Sequence, residues 1–105
     1  MRERYWVYIL RCADGSYYTG MTSQLEERFI EHQSGRFPGY TFSRRPVELV
    51  FAEEFQDARL AASTERQIKG WTRAKKEALI RRDMDSLHLL AVCKNNSHFT
   101  FVSQP

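Results

Sequence analysis

The chain is poor in cysteine, in proline and in long apolar runs, and each shortage closes off a class of protein. Two cysteines, Cys12 and Cys93, stand among 105 residues. Neither belongs to a close metal-ligand spacing, and the pair is no disulfide framework, which suits a reducing compartment. Met1-Arg2-Glu3-Arg4 carries mixed charge and precedes only six apolar or aromatic residues, Tyr5 to Leu10. That is too short for a signal-peptide core or a membrane span, so no membrane partner is expected and the expected location is the cytoplasm. With three prolines, five glycines and no repeat or low-complexity tract, no linker is legible. The length fits one domain with one modest core.

Positive charge is present and unevenly spread. The net charge is +3, a weak pointer alone, but Arg66, Lys69, Arg73, Lys75, Lys76, Arg81 and Arg82 face a single acid, Glu77, between residues 66 and 82. Arg36, Arg44 and Arg45 form a second cluster, interleaved with Phe37, Tyr40 and Phe42 in a segment containing Gly and Pro. Cations mixed with aromatics suit a phosphate backbone and exposed bases. A solvated helix face and a core-anchored loop would give the same composition.

The aromatic and β-branched run Tyr5-Trp6-Val7-Tyr8-Ile9-Leu10 and the run Ser16-Tyr17-Tyr18-Thr19 flank Ala13-Asp14-Gly15, which predicts a β-hairpin. A two-residue loop would send Tyr8 and Tyr18 to opposite faces. A three-residue loop with Gly15 left-handed puts Cys12 opposite Ser16 and Tyr8 opposite Gly20, and makes Tyr18 the diagonal neighbour of Tyr8 on one face. Ser23-Gln24-Leu25-Glu26 matches a capping box and Gly35 a stop, predicting a helix over 24–34 with Leu25 and Phe29 on its apolar stripe and Arg28 and His32 beside it. Residues 36–46 read as loop or a single irregular turn ended by Pro46, and Val47 to Ala52 as a third strand. Asp57 and Thr72 are N-caps of helices reaching Lys69 and Arg82, with a further short helix over 87–92 and a frayed tail. In the second helix Glu65 falls within the stripe Ala58, Ala61, Ala62 and Ile68. A carboxylate there is costly unless it is paired, with Lys69 for example, or binds a metal.

These residues, in this order, resemble the GIY-YIG nuclease superfamily and its small stand-alone members. Trp6-Val7-Tyr8 and Tyr18-Thr19-Gly20 stand for the two signatures. They are followed by Leu25, Arg28, His32, the run Arg44-Arg45-Pro46-Val47-Glu48-Leu49 and the run Glu65-Arg66-Gln67-Ile68-Lys69-Gly70-Trp71. The resemblance implies an α+β fold, a three-stranded antiparallel sheet flanked by helices, with residues 1–83 as the domain and 84–105 as an extension. It implies hydrolysis of DNA phosphodiester bonds, in repair or processing, dependent on Mg²⁺ or Mn²⁺ held by Glu65. Tyr8 or Tyr18 would take the proton of the attacking water, Arg28 would neutralise charge on the phosphate, and His32 would orient the nucleophile or meet the phosphate. Arg44, Arg45, Lys69, Arg73, Lys75 and Lys76 are the expected nucleic-acid contacts. The partner would be DNA or RNA, with a second protein to confer specificity, since no DNA-binding module is attached. Two departures touch the site. Met21 stands where many relatives have lysine, and Lys76-Glu77 where larger repair nucleases have asparagine; Lys69 and Lys75 are candidates to compensate. The other reading of the same residues is a nucleic-acid-binding module of this fold with weak or no catalysis.

Overall fold

The computed structural model describes residues 4–36 and 38–83, as an α+β chain with three strands and three helices. The described residues fall into two compact units divided between Lys69 and Gly70. The helix expected over 87–92 and the tail, and with them the extension expected from residue 84, lie outside the described residues.

The first unit is built on strand β1 (Tyr5–Arg11), which lies between β2 (Tyr17–Thr22) and β3 (Glu48–Phe55), antiparallel to both. A half-buried strand would alternate buried and exposed positions, but Val7, Tyr8, Ile9 and Leu10 are all buried. Both faces of β1 are therefore covered. The β1–β2 connection is the three-residue turn: Cys12 donates its backbone N–H to Ser16 O, Gly15 donates to Cys12 O, and Gly15 is left-handed at φ 87°. Tyr8 consequently pairs with Gly20. Strand β3 runs three residues beyond the expected end at Ala52. Its pairing slips by one residue between Ile9 and Leu10, leaving Val50 as the extra residue of a bulge.

Helix α1 (Leu25–Ser34) begins without the expected capping box. Gln24 is the N-cap and makes no side-chain cap bond, while Thr22 Oγ1 accepts from the Gln24 N–H at 3.0 Å. The helix ends on Gly35 at φ 80°, whose N–H and that of Arg36 close on His32 O and Glu31 O. Phe29, like Tyr18, packs against the cluster of Leu10, Cys12 and Val47. Gln33 grips the chain on the way to β3 with both ends of its amide, donating to Val47 O and accepting from Val47 N, each at 2.8 Å.

A short 3₁₀ turn, Phe42–Arg44, interrupts the loop before β3. Helix α2 (Ala58–Lys69) starts where Asp57 Oδ1 accepts from Arg59 N–H and lies against the sheet, burying Ala61, Thr64 and Ile68. The buried stripe is thus 61-64-68. Glu65 sits beside it, partly exposed, and not in its centre as the alanine pattern suggests. In the second unit, α3 (Arg73–Ile80) is capped by Thr72, whose side chain accepts from Lys75 N–H.

Candidate active site

The hairpin register puts both phenols on one surface, and α1 supplies the groups between them. The Tyr8 and Tyr18 rings meet edge to face at 6.3 Å between centroids. His32, one turn after Arg28 on α1, packs 5.1 Å from the Tyr18 ring, and its Nε2 lies 3.0 Å from the Tyr8 hydroxyl. On its other side His32 Nδ1 lies 2.9 Å from Thr41 Oγ1. Tyr8, His32 and Thr41 are all buried. Arg28 pairs with Glu31 at 3.3 Å, and its positive charge bears on the Tyr8 phenol. Gly20 is needed here for space: a Cβ at that position would stand 2.5 Å from the Tyr8 oxygen.

Burial pushes the Tyr8 phenol well above its ordinary pKa, with Tyr18 adding to the rise and Arg28 opposing it. Burial likewise depresses His32, and Arg28 depresses it further. Both groups are therefore neutral near pH 7, a phenol donor beside an imidazole.

In front of this pair lies a cleft of about 220 Å³ lined by Tyr18, Arg28, His32, Tyr40 and Thr41, among others. Its outer wall is strapped down. Tyr40 stacks on Tyr18 at 6.1 Å, Arg44 covers the Tyr40 ring at 3.9 Å, and Arg44 is held by Asp14 Oδ2 at 3.1 Å and by Tyr40 O at 2.8 Å. Arg44 O also accepts from Ala13 N–H, tying the loop to the hairpin turn.

Glu65 keeps its carboxylate 2.9 Å from Lys69 Nζ, one helical turn on. Lys69 in turn feels the Tyr18 hydroxyl electrostatically, and Glu65 feels that of Tyr8, so the carboxylate belongs to this neighbourhood. Among the described residues no group of three or more His, Cys, Asp or Glu is placed to hold a metal ion. A single carboxylate fits a hard cation that keeps most of its waters, the habit of Mg²⁺, and fits no cage-bound metal.

The expected nucleic-acid contacts divide. Lys69 and Arg73 are exposed, Arg73 in an ion pair with Glu77 at 3.1 Å. Arg44 and Arg45 act first on their own loop: Arg45 donates to Phe42 O at 2.8 Å, lies over the Phe42 ring and packs against Gly35. Lys76 is half-buried, with its pKa lowered by burial. Lys75 is 1% exposed, its ammonium 4.6 Å from the centre of the Trp71 ring, so it offers no surface charge to a phosphate. Met21 pairs with Val7 and so falls on the sheet face opposite Gly20 and Tyr18. Thr41, Tyr40 and Asp14 were missed as site residues in the sequence because a loop carries no periodicity from which to read their placement.

A family model of the GIY-YIG catalytic domain matches residues 4–78. The chain belongs to the GIY-YIG family. Within it, the chain is similar to a UPF0213 protein of Bacillus pumilus, 44% identical over 79 residues (75% of this chain and 81% of that one). A UPF0213 protein of Natronomonas pharaonis is 45% identical over 80 residues (76% and 94%). Among solved structures, a UPF0213 protein of Bacillus halodurans is 40% identical with a TM-score of 0.51, over 74% of this chain and 83% of that one. A protein of E. faecalis is 35% identical with a TM-score of 0.54, over 85% and 93%. These neighbours share the three-stranded α+β fold.

Proposed function

We propose that this protein is a divalent-metal-dependent endonuclease that hydrolyses DNA phosphodiester bonds in repair or processing. The observation that carries the reading is the convergence of Tyr18, Arg28 and His32 on one cleft, with Tyr8 behind them and Glu65 in electrostatic reach. A binding module gains nothing from a glutamate that repels phosphate.

The two tyrosines are not equivalent in this reading. Tyr8 is buried, protonated, and engaged by Arg28 and His32, so its work is to hold those two groups. Tyr18 lines the cleft, so it is the residue that meets the attacking water and, as the phenolate left after its own proton passes to solvent, takes the water's proton. Arg28, on the same wall, receives a phosphate oxygen and stabilises charge as it grows there. Glu65 would hold the Mg²⁺ or Mn²⁺ after releasing Lys69, and such an ion when bound supplies further stabilisation of phosphate charge. Lys69 then remains beside Tyr18 as a mobile cation. Lys69, Arg73, Lys76 and, once freed from its loop, Arg44 or Arg45 make the electrostatic contacts with the substrate backbone.

A nucleic-acid-binding module without catalysis is the second reading, favoured by one observation: the Glu65 carboxylate is already neutralised by Lys69. The two separate in a cleavage screen of purified protein on duplex, single-stranded and branched DNA and on RNA, with and without Mg²⁺ or Mn²⁺. Metal-dependent cuts lost in Tyr18→Phe support the nuclease. Binding to the same substrates with no cut under any condition supports the module.

A further inference from the structure

The buried chain behind the cleft runs in one direction, and its far end is a residue outside the family's two signatures. Tyr8 is 2% exposed and the pKa of its hydroxyl is pushed up by burial, so it keeps its proton. The phenolic proton then needs an acceptor of its own. Among the described residues the one at hydrogen-bond distance is His32 Nε2, at 3.0 Å. A neutral imidazole that accepts at Nε2 must carry its proton on Nδ1. That nitrogen faces Thr41 Oγ1 at 2.9 Å, at a residue 2% exposed.

We propose that Thr41 is a positioning residue that fixes His32 in the Nδ1–H tautomer, so that His32 Nε2 accepts from Tyr8. The functional consequence rests on the nuclease reading; the tautomer does not. With the proton on Nε2 instead, Tyr8 would have to accept from His32, and its own buried proton would lose its acceptor. Either the imidazole would rotate or the phenol would shift, and the cleft wall that Arg28 and the His32 ring form against Tyr18 would lose its geometry. The 3₁₀ turn that carries Thr41 is held by the Arg44 strap to Asp14, so the hydroxyl is presented from a fixed backbone.

The test is ¹⁵N NMR of the His32 ring near neutral pH, where protonated and unprotonated ring nitrogens resonate far apart, in wild type, Thr41→Val, Thr41→Ala and Thr41→Ser. The expected result is Nδ1–H in wild type and Thr41→Ser, and a shift toward Nε2–H in Thr41→Val and Thr41→Ala. Where the wild type cleaves, kcat should fall on the order of tenfold in Thr41→Val and recover in Thr41→Ser, the scale seen when an orienting hydrogen bond behind a working group is removed. A wild-type His32 protonated at Nε2, or an Nδ1–H tautomer that persists without the hydroxyl, overturns the proposal. The wild-type spectrum decides even if a variant fails to fold. A protein that cleaves nothing would sink the nuclease reading while leaving the tautomer assignment to stand or fall on its own.

Discussion

Lys69 Nζ lies 2.9 Å from Glu65 Oε2, so the carboxylate proposed to hold a hydrated cation is already paired with an ammonium. The pair is i,i+4 on α2 and Lys69 is half exposed, a setting in which such pairs are worth about 0.3–0.5 kcal/mol. Lys69→Met should therefore lower the Mg²⁺ concentration for half-maximal binding only about twofold, measured by titration calorimetry. A change of tenfold or more would mean that Lys69 guards the site far more strongly than an exposed pair can.

Glu65→Gln keeps the shape and removes the charge. Because Glu65 lies beside the buried stripe of α2 and not within it, stability should move by no more than about 0.5 kcal/mol in urea denaturation. Cleavage should drop by at least about 10³, and metal-free DNA affinity should hold or rise. Unaltered cleavage in Mg²⁺ and Mn²⁺ would remove Glu65 from the chemistry.

Asp14 and Arg44 make opposite predictions under two roles for Arg44. If Arg44 only contacts phosphate, Asp14→Asn removes a nearby negative charge and DNA binding improves. If Arg44 first straps Tyr40 onto Tyr18, Asp14→Asn loosens the cleft wall and lowers kcat, and its effect should not add to that of Arg44→Gln, since both act through one contact. The strap geometry favours the second outcome. A double-mutant cycle on kcat with additive terms would return Arg44 to a simple phosphate contact. Lys69 and Arg73, by contrast, should each lower the slope of log affinity against log salt by about one unit when neutralised.

The sequence made the hairpin legible because its turn residues leave few registers and only one that lets Tyr8 and Tyr18 cooperate. Asp57 and Thr72 were readable as caps for the same reason: a short polar side chain before a helical pattern has one local use. Ser23 misled, since the chain enters α1 one residue later and Thr22 makes the nearby bond instead. The alanine stripe misled about Glu65 because small residues mark a face only loosely. Lys75 could not be distinguished from its exposed neighbours, because a cation over a tryptophan is a tertiary fact. The loop residues Tyr40, Thr41 and Arg44 complete the site through contacts of long sequence separation, which no local pattern announces.

His32 sets the acid side of the stability profile. Its folded pKa lies below the ordinary value near 6.5 because burial and Arg28 both oppose protonation. The unfolded chain therefore takes up this proton more readily than the folded one. Stability from the neutral ring is complete above about pH 6.5 and is lost as the pH falls from there through the folded value. Asp14, held low by its bonds from Ser16, with Arg44 a smaller contributor, loses its contribution only at more acid pH and does not confuse the window. The urea midpoint should thus be flat from pH 8 to 7 and decline between pH 6.5 and 5. His32→Gln should start lower at pH 7, having lost its bonds to Tyr8 and Thr41, and be flatter across the same interval. A wild-type midpoint that rises as the pH drops from 6.5 to 5 would show that His32 is charged in the folded state, and the neutral Tyr8–His32 pair would have to be abandoned.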